Sequence, residues 1–419
     1  MIRKIAFAAV LFVSWTIIVA SFVLIEALWF AEPDLVRGDL RSIREHLDGR
    51  LTVAADDGRL GAASLAIIQD GETVFVKGYG IAENGSSVDP EKTLFQVGSI
   101  SKMVTAAGVM KLVQDGQLSL DEPVVGRLKR WRFAGGDQRM DRITIRHLLS
   151  HTGGVQDPPG YAGSTADEEA PSIIDYLEGV KIVGEPGSEM AYGNASTAIL
   201  QLLLEDVTGT PFPFYMQSAV LQPFGMTNST FDLDIARSRL APPFDGNLAA
   251  QPPSRHSIAS AVALYTNARD LALFAQALGR DNGPLNGESL EQMMRPVAGT
   301  GGTWGLGLNL FVPTEDGGFI LGHDGGAAPA WGGMVRFNPK TQNGMVVTVS
   351  GGRGAANMLS HDWVYWESGK LTTQARRQVA YSRFRLAIWA IGIGGIAILI
   401  LVYARVRTRA KISPAAAII

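Results

Sequence analysis

The strongest constraint on the fold is a pair of turn signals set near opposite ends of the chain's long central segment. Residues 62–69, AASLAIIQ, and 73–80, TVFVKGYG, lie on either side of Asp70-Gly71. Asp-Gly is favoured in two-residue hairpin turns, and the flanking runs alternate or stay apolar, so they are predicted to pair as antiparallel strands. GGMVRF and MVVTVS flank Asn338-Pro339 and Asn343-Gly344 and predict a second, closing hairpin. Helical patterns and Pro/Gly-rich loops fill the interval. One antiparallel sheet interrupted by a helical insertion accounts for this order. Ahead of the first strand, Leu40, Ile43 and Leu47 recur at helical spacing.

The chain has 419 residues, 46% of them hydrophobic, and no cysteine. A core of this size needs no staples, and without cysteine there are no disulfides, thiolate metal sites or thiol nucleophile. Two apolar runs lie at the ends. Residues 5–30 are almost wholly apolar behind Arg3 and Lys4, and residues 386–403 carry no charge and are followed by Arg405, Arg407, Arg409 and Lys411. Each is long enough to span a bilayer. A signal peptide is the alternative for the first, although no small-x-small cleavage site follows the run; a buried core helix is the alternative for the second. The basic flanks place both ends in the cytoplasm. The organisation expected is an anchor at 5–30, a globular domain at 38–370, a second span at 386–403 and a basic tail at 404–419. The globular domain would then lie on the extracytoplasmic side, periplasmic or extracellular, with the lipid bilayer as a partner. Residues 31–370 carry 27 Lys and Arg against 39 Asp and Glu, a poor surface for nucleic acid.

The chemistry begins at Ser99-Ile100-Ser101-Lys102, followed by MVTAAGVMKLVQDGQL, a pattern for a buried helix that stops near Gly116. Ser99 and Lys102 share one face of that helix. The positive field of a helix N-terminus favours the neutral amine of Lys102 and stabilises an oxyanion, which gives a serine nucleophile a base without histidine. An ordinary capped helix shows the same residues, so the motif alone leaves both readings open.

Two further elements follow in order. Tyr192-Gly193-Asn194 precedes the helical run STAILQLLLEDVTG, and His323-Asp324-Gly325-Gly326 precedes the closing hairpin. With ITIRHLLSHTGG at 143–154, MAYGNAS at 190–196 and VALYTNARDLALFAQAL at 262–278, the sequence resembles the serine β-lactamase-related family. That family contains class C β-lactamases, D-alanyl-D-alanine carboxypeptidases, D-aminopeptidases and esterases, and its motifs are Ser-x-x-Lys, Tyr-x-Asn and Lys/His-x-Gly. The likeness covers roughly residues 40–355. It implies an α/β (α+β) fold: an antiparallel sheet flanked by helices, an all-α insertion domain, and a cleft between them. The resemblance also implies roles. Ser99 would be acylated, Lys102 would activate it, Tyr192 would be base or proton relay, and Asn194 would orient the substrate amide. His323, Gly325 and Gly326 would bind substrate, with the amides of Ser99 and Gly326 as the oxyanion hole.

His323 stands where β-lactamases and many penicillin-binding proteins have Lys. A neutral imidazole holds a substrate carboxylate less well, which favours D-peptidase, carboxypeptidase or esterase activity over β-lactamase activity. His147 and His151 have the i, i+4 spacing of a helical zinc site without its glutamate, and structural roles are expected for them. No nucleotide or metal motif is present, and no cofactor is called for. Segments 153–171 and 241–256 are expected as surface loops, and Trp304-Gly305-Leu306-Gly307-Leu308 as a strand edge near the cleft. The function expected is a membrane-anchored serine hydrolase acting on a small-molecule or peptide substrate. Its alternative is a penicillin-binding-like sensor or binding protein in the membrane that does not turn over.

Overall fold

The computed structural model describes residues 35–373 apart from 83, 84, 161–163, 166, 246, 282 and 328–330, together with 12, 14–19, 21, 375, 376, 388 and 391–404. The chain divides into two compact units, residues 35–370 and the combined ends 1–34 with 371–419.

The expectation of two membrane spans is overturned. Among the described residues no helix is long and apolar enough to cross a membrane. Most of the run 5–30, part of 386–403 and nearly all of the tail 404–419 lie outside the described residues. The anchor, the bilayer as a partner and the extracytoplasmic placement all rested on those spans and go with them.

In unit 35–370, helix α1 (Leu40–Asp56) starts at Asp39, whose side chain accepts from Arg41 N at 2.9 Å. It buries Ile43, Leu47, Leu51 and Ala54 along one stripe. Strands β1 (Ala62–Gln69) and β2 (Glu72–Gly80) follow as the Asp70-Gly71 hairpin. Asp70 and Gly71 both take positive φ, 51° and 78°, as a tight turn of this kind demands. After the helical insertion come β3 (Asn309–Pro313), β4 (Phe319–Ala327), β5 (Trp331–Asn338) and β6 (Asn343–Ser350). The six strands form one antiparallel sheet in the order β2-β1-β6-β5-β4-β3. The closing hairpin is therefore present, extended by two strands that sequence patterning did not single out.

Both faces of the sheet are covered. Met345, Val347 and Val349 pack with α1 and with Trp363 and Leu359 of helix α5 (Arg353–Ser368). Val346, Val335 and Phe337 face the opposite way, into the core that holds the insertion helices. The side-chain period of two thus assigns each strand residue to a face. It puts His323 on the insertion side, because its cross-strand partner is Val335, and Asp324 with Met334 on the α5 side. Two insertion helices carry the site, α2 (Ile100–Gln114) and α3 (Ala195–Thr208), while α4 (Ala268–Ala277) packs on β1 and β6. The two presumed surface loops contribute backbone pairing, Val155–Gln156 with Lys181–Ile182 and Ser164–Thr165 with Ser254–Arg255.

Behind the sheet lies an ion pair, Arg336 Nη1 to Asp324 Oδ1 at 2.6 Å, with the arginine side chain wholly buried. The guanidinium also donates to Ser360 Oγ at 3.0 Å and stacks on Phe311. Arg336→Ala strands the Asp324 carboxylate and is expected to cost about 3–5 kcal/mol in urea denaturation. A cost under about 1 kcal/mol would show the pair to be no more than a surface salt bridge in effect.

Candidate active site

The segment entering α2 is fixed on both sides. Phe95–Gln96 pairs with Tyr265–Thr266, and Val97 N donates to Leu264 O at 3.0 Å. Gly98 then turns with φ +55°, and Ser99 occupies the N-cap of α2. Ser99 does not cap the helix with its own side chain. Ser101, two residues on, locks the turn: its Oγ donates to Gly98 O at 2.6 Å and accepts from Leu264 N at 2.9 Å. Helix α2 is buried almost all round, as its uniformly apolar sequence requires.

Lys102 projects from the first turn of α2 into this interior and is only 3% exposed. Its Nζ lies 3.0 Å from Ser99 Oγ, 2.8 Å from Asn194 Oδ1 and 3.1 Å from the carbonyl of Ala261. The three partners come from α2, the start of α3 and the short helix Ala259–Val262. Gln201 of α3 ties that short helix in place, accepting from Ser260 N at 3.0 Å and donating to Ser257 O at 3.1 Å. Burial pushes the Lys102 ammonium down to about 7, with the charge of Asp157 acting in the opposite sense. A neutral amine fits these partners completely. Two of them, Asn194 Oδ1 and Ala261 O, can only accept, so both N–H bonds are used and the lone pair is left for Ser99.

Tyr192 and Asn194 lie immediately before α3, and the Tyr192 ring centroid is 5.2 Å from Lys102 Nζ. The residue is 49% exposed, yet the phenol is pushed up to about 12. Desolvation is the main cause, a hydrogen bond with Ser99 pulls the other way, and the charges of Asp324 and Asp157 add to the rise. His323 is 1% exposed, and its Nδ1 donates to Asp324 O at 2.6 Å. A carbonyl can only accept, so the proton sits on Nδ1 and Nε2 carries a lone pair. Nε2 is buried without a partner among the described residues. Burial, reinforced by the Lys102 charge, lowers the imidazole to about 4.

Gly325 and Gly326 bring β4 against the turn that carries Ser99. Strand β3 pairs with β4 only as far as Asn309–Gly322, so the later part of β4 presents an edge to Val97–Gly98. Contact there is backbone to backbone. A Cβ on Gly325 would sit 1.8 Å from Val97 O, and one on Gly98 would sit 2.6 Å from Gly326 N. Ser99, Lys102, Tyr192, Asn194, His323, Gly325 and Gly326 are therefore gathered in one place.

Three further residues join the site: Trp304, which the sequence placed near the cleft, His151, for which it gave a structural role, and Asp157, which it did not single out. Trp304 stands among the rings of His151, Tyr192 and His323, at centroid distances of 5.1, 5.5 and 5.3 Å. His151 lies 4.7 Å from Tyr192 and holds φ +58°, a conformation rare for a non-glycine residue. His147 takes the structural part expected of it, closing a capping box with Thr144 at the start of Ile145–Leu149. His151 does not; it belongs to the ring cluster. The third participant is Asp157, whose carboxylate accepts from the amides of Asn194 and Ala195.

The sequence profile of the Beta-lactamase family matches residues 42–370. The chain belongs to that family. Its motif resemblance and its fold, of the serine-hydrolase type, agree with this membership. It is 28% identical over 248 residues to PbpX of Bacillus subtilis (strain 168), provisionally assigned as a penicillin-binding protein, covering 58% of this chain and 60% of PbpX. It is 29% identical over 218 residues to the esterase EstB of Burkholderia gladioli, covering 48% of this chain and 54% of EstB. The chain thus spans less than two thirds of the length of these curated relatives. Among solved structures it resembles an octameric penicillin-binding protein homologue from Pyrococcus abyssi, with TM-score 0.64 and 24% identity over 76% of each chain. That likeness is one of fold.

The close approach of β4 to the Val97–Gly98 turn leaves no room for a side chain. Gly325→Ala is expected to destabilise the protein by at least about 1–3 kcal/mol. Gly126→Ala, with nothing within 4 Å of the new methyl, should leave the thermal midpoint unchanged. Equal midpoints for both variants would show that the β4 contact is loose.

Proposed function

We propose that this protein is a serine hydrolase that cleaves an ester or amide through an acyl-enzyme on Ser99. The observation that carries the reading is the buried Lys102 amine, held by two acceptors with its remaining valence at Ser99 Oγ. Neutral Lys102 takes the Ser99 proton as Oγ attacks the substrate carbonyl. The oxyanion is stabilised at the amides of Ser99 and Gly326 and by the field at the start of α2. The proton then passes to the leaving group, with Tyr192 as the relay between Lys102 and the departing atom. Water enters, gives its proton back along the same route, and releases the acid. The upward push on Tyr192 argues against a standing phenolate, so Lys102 is the base in this scheme.

Substrate preference follows from His323. A neutral ring with a lone pair at Nε2 offers no cation to a substrate carboxylate. Esters and small peptides suit it better than β-lactams, and similarity to the esterase EstB supports the same direction. Asn194 is already engaged by Lys102 through Oδ1, so its amide N–H groups remain to orient a substrate carbonyl.

The test is intact mass after exposure to a reactive fluorophosphonate, followed by turnover of an ester panel, D-peptides and β-lactams. A single adduct that disappears in Ser99→Ala is expected; an adduct retained in that variant removes Ser99 from the chemistry. Tyr192→Phe should slow turnover about 10²–10⁴-fold. The rate should rise as pH increases through about 7, because the Lys102 ammonium cannot accept the Ser99 proton and the amine can. A rate that falls over that interval would remove Lys102 as the base. His323→Lys should raise acylation by carboxylated β-lactams relative to esters, and an unchanged ratio would dissociate His323 from substrate selection.

A further inference from the structure

Helix α3 begins with an asparagine that does not cap it. Asn is favoured at an N-cap because its side-chain oxygen accepts from the first free amides of the helix. Asn194 makes no such bond; its Oδ1 accepts from Lys102 Nζ at 2.8 Å. The amides of Asn194 itself and of the first helical residue, which an N-cap side chain does not bind, are taken by a residue from another segment. Asp157, just after the short strand Val155–Gln156, accepts through Oδ1 from Asn194 N at 2.8 Å and Ala195 N at 2.6 Å. Its Oδ2 is 3.0 Å from Asn194 N. The Tyr192-Gly193-Asn194 turn is wrapped so closely on this carboxylate that a Cβ at Gly193 would lie 2.8 Å from Oδ1.

We propose that Asp157 is a positioning residue, which holds the amides of Asn194 and Ala195 at the start of α3, so keeps the Asn194 oxygen on Lys102, and fixes the turn that carries Tyr192. The inference rests on the serine-hydrolase reading given above. Without the carboxylate, two helix-start amides lose their acceptor. The N-cap residue is then no longer held in this orientation, and its Oδ1 can leave Lys102 for the N2 or N3 amides that an asparagine at this position ordinarily binds. Lys102 then keeps two of three partners and is no longer aimed at Ser99. Asp157 also acts through its charge. The groups facing Lys102 are Ser99 on its own helix, Tyr192 and Asn194 before α3, His151, His323 on β4, and Asp157. Both imidazoles are held neutral by burial, so the Asp157 charge opposes the desolvation of the ammonium.

Fluorophosphonate labelling rates of the full chain, followed by mass from acid to alkaline pH, test this. Asp157→Ala should label about 10- to 100-fold more slowly than wild type. Asp157→Asn keeps Oδ1 and should recover most of that loss, with the acid limb of its profile displaced to lower pH because the charge that favoured the ammonium is gone. Asp157→Ala combined with Asn194→Ala should be no slower than the slower single variant, since both break one link. Wild-type labelling by Asp157→Ala, multiplicative losses in the double variant, or an unmoved limb in Asp157→Asn would each overturn the proposal. Should Asp157→Ala fail to fold in a thermal melt, the limb of Asp157→Asn decides alone. A wild-type chain that takes no Ser99-dependent label overturns the hydrolase reading and this proposal together, whereas a labelled wild type confines any failure to Asp157.

Discussion

The arrangement depends on one buried nitrogen. Lys102 Nζ has no carboxylate within ion-pair distance among the described residues, and it is satisfied instead by a hydroxyl, an amide oxygen and a backbone carbonyl. An isolated ammonium in such a place is costly, so burial pushes the group down to about 7. Each of its partners needs support from elsewhere. Ser101 secures the turn of Ser99, Gln201 secures the segment of Ala261, and Asp157 secures the amides of Asn194. The insertion helices therefore serve less as a shell than as three separate grips on one amine.

The sheet supplies the other half by backbone rather than by side chains. His323 and Asp324 are adjacent in sequence but belong to opposite faces. One imidazole joins Tyr192 and Trp304, while the neighbouring carboxylate is tied to Arg336 behind the sheet. The negative charge next to the site is thus neutralised out of reach of substrate. What faces the cleft from β4 is a lone pair and two glycine backbones.

Much of this was readable in the sequence because it is local. Asp70-Gly71 announces its hairpin, and Ser99 with Lys102 announces a shared helix face within four residues. Strands β3 and β4 were harder: HDGG carries no alternation, since its glycines are there for contact with Val97–Gly98 and not for packing. Asp157 left no signal, because an acceptor supplied from another segment obeys no spacing rule. His151 was given a structural role because its i, i+4 relation to His147 lacks the glutamate of a zinc site, and that spacing assumed a helix that in fact ends at Leu149. The apolar ends misled in the opposite way. Hydropathy alone measures composition, whereas a span also needs continuous helix, and none of sufficient length is described.

The seam where β1 meets β6 joins Ala62 to Ser350, about 290 residues apart, so closing it costs on the order of 5 kcal/mol of chain entropy before any strand hydrogen bond repays it. Topology of this kind slows folding, because the longest loop must close before the sheet has a centre. A chain emerging from synthesis holds β1 and β2 as an edge without its neighbour until residue 350 is made, and the exposed flank of β1 during that interval is where misassembly would begin.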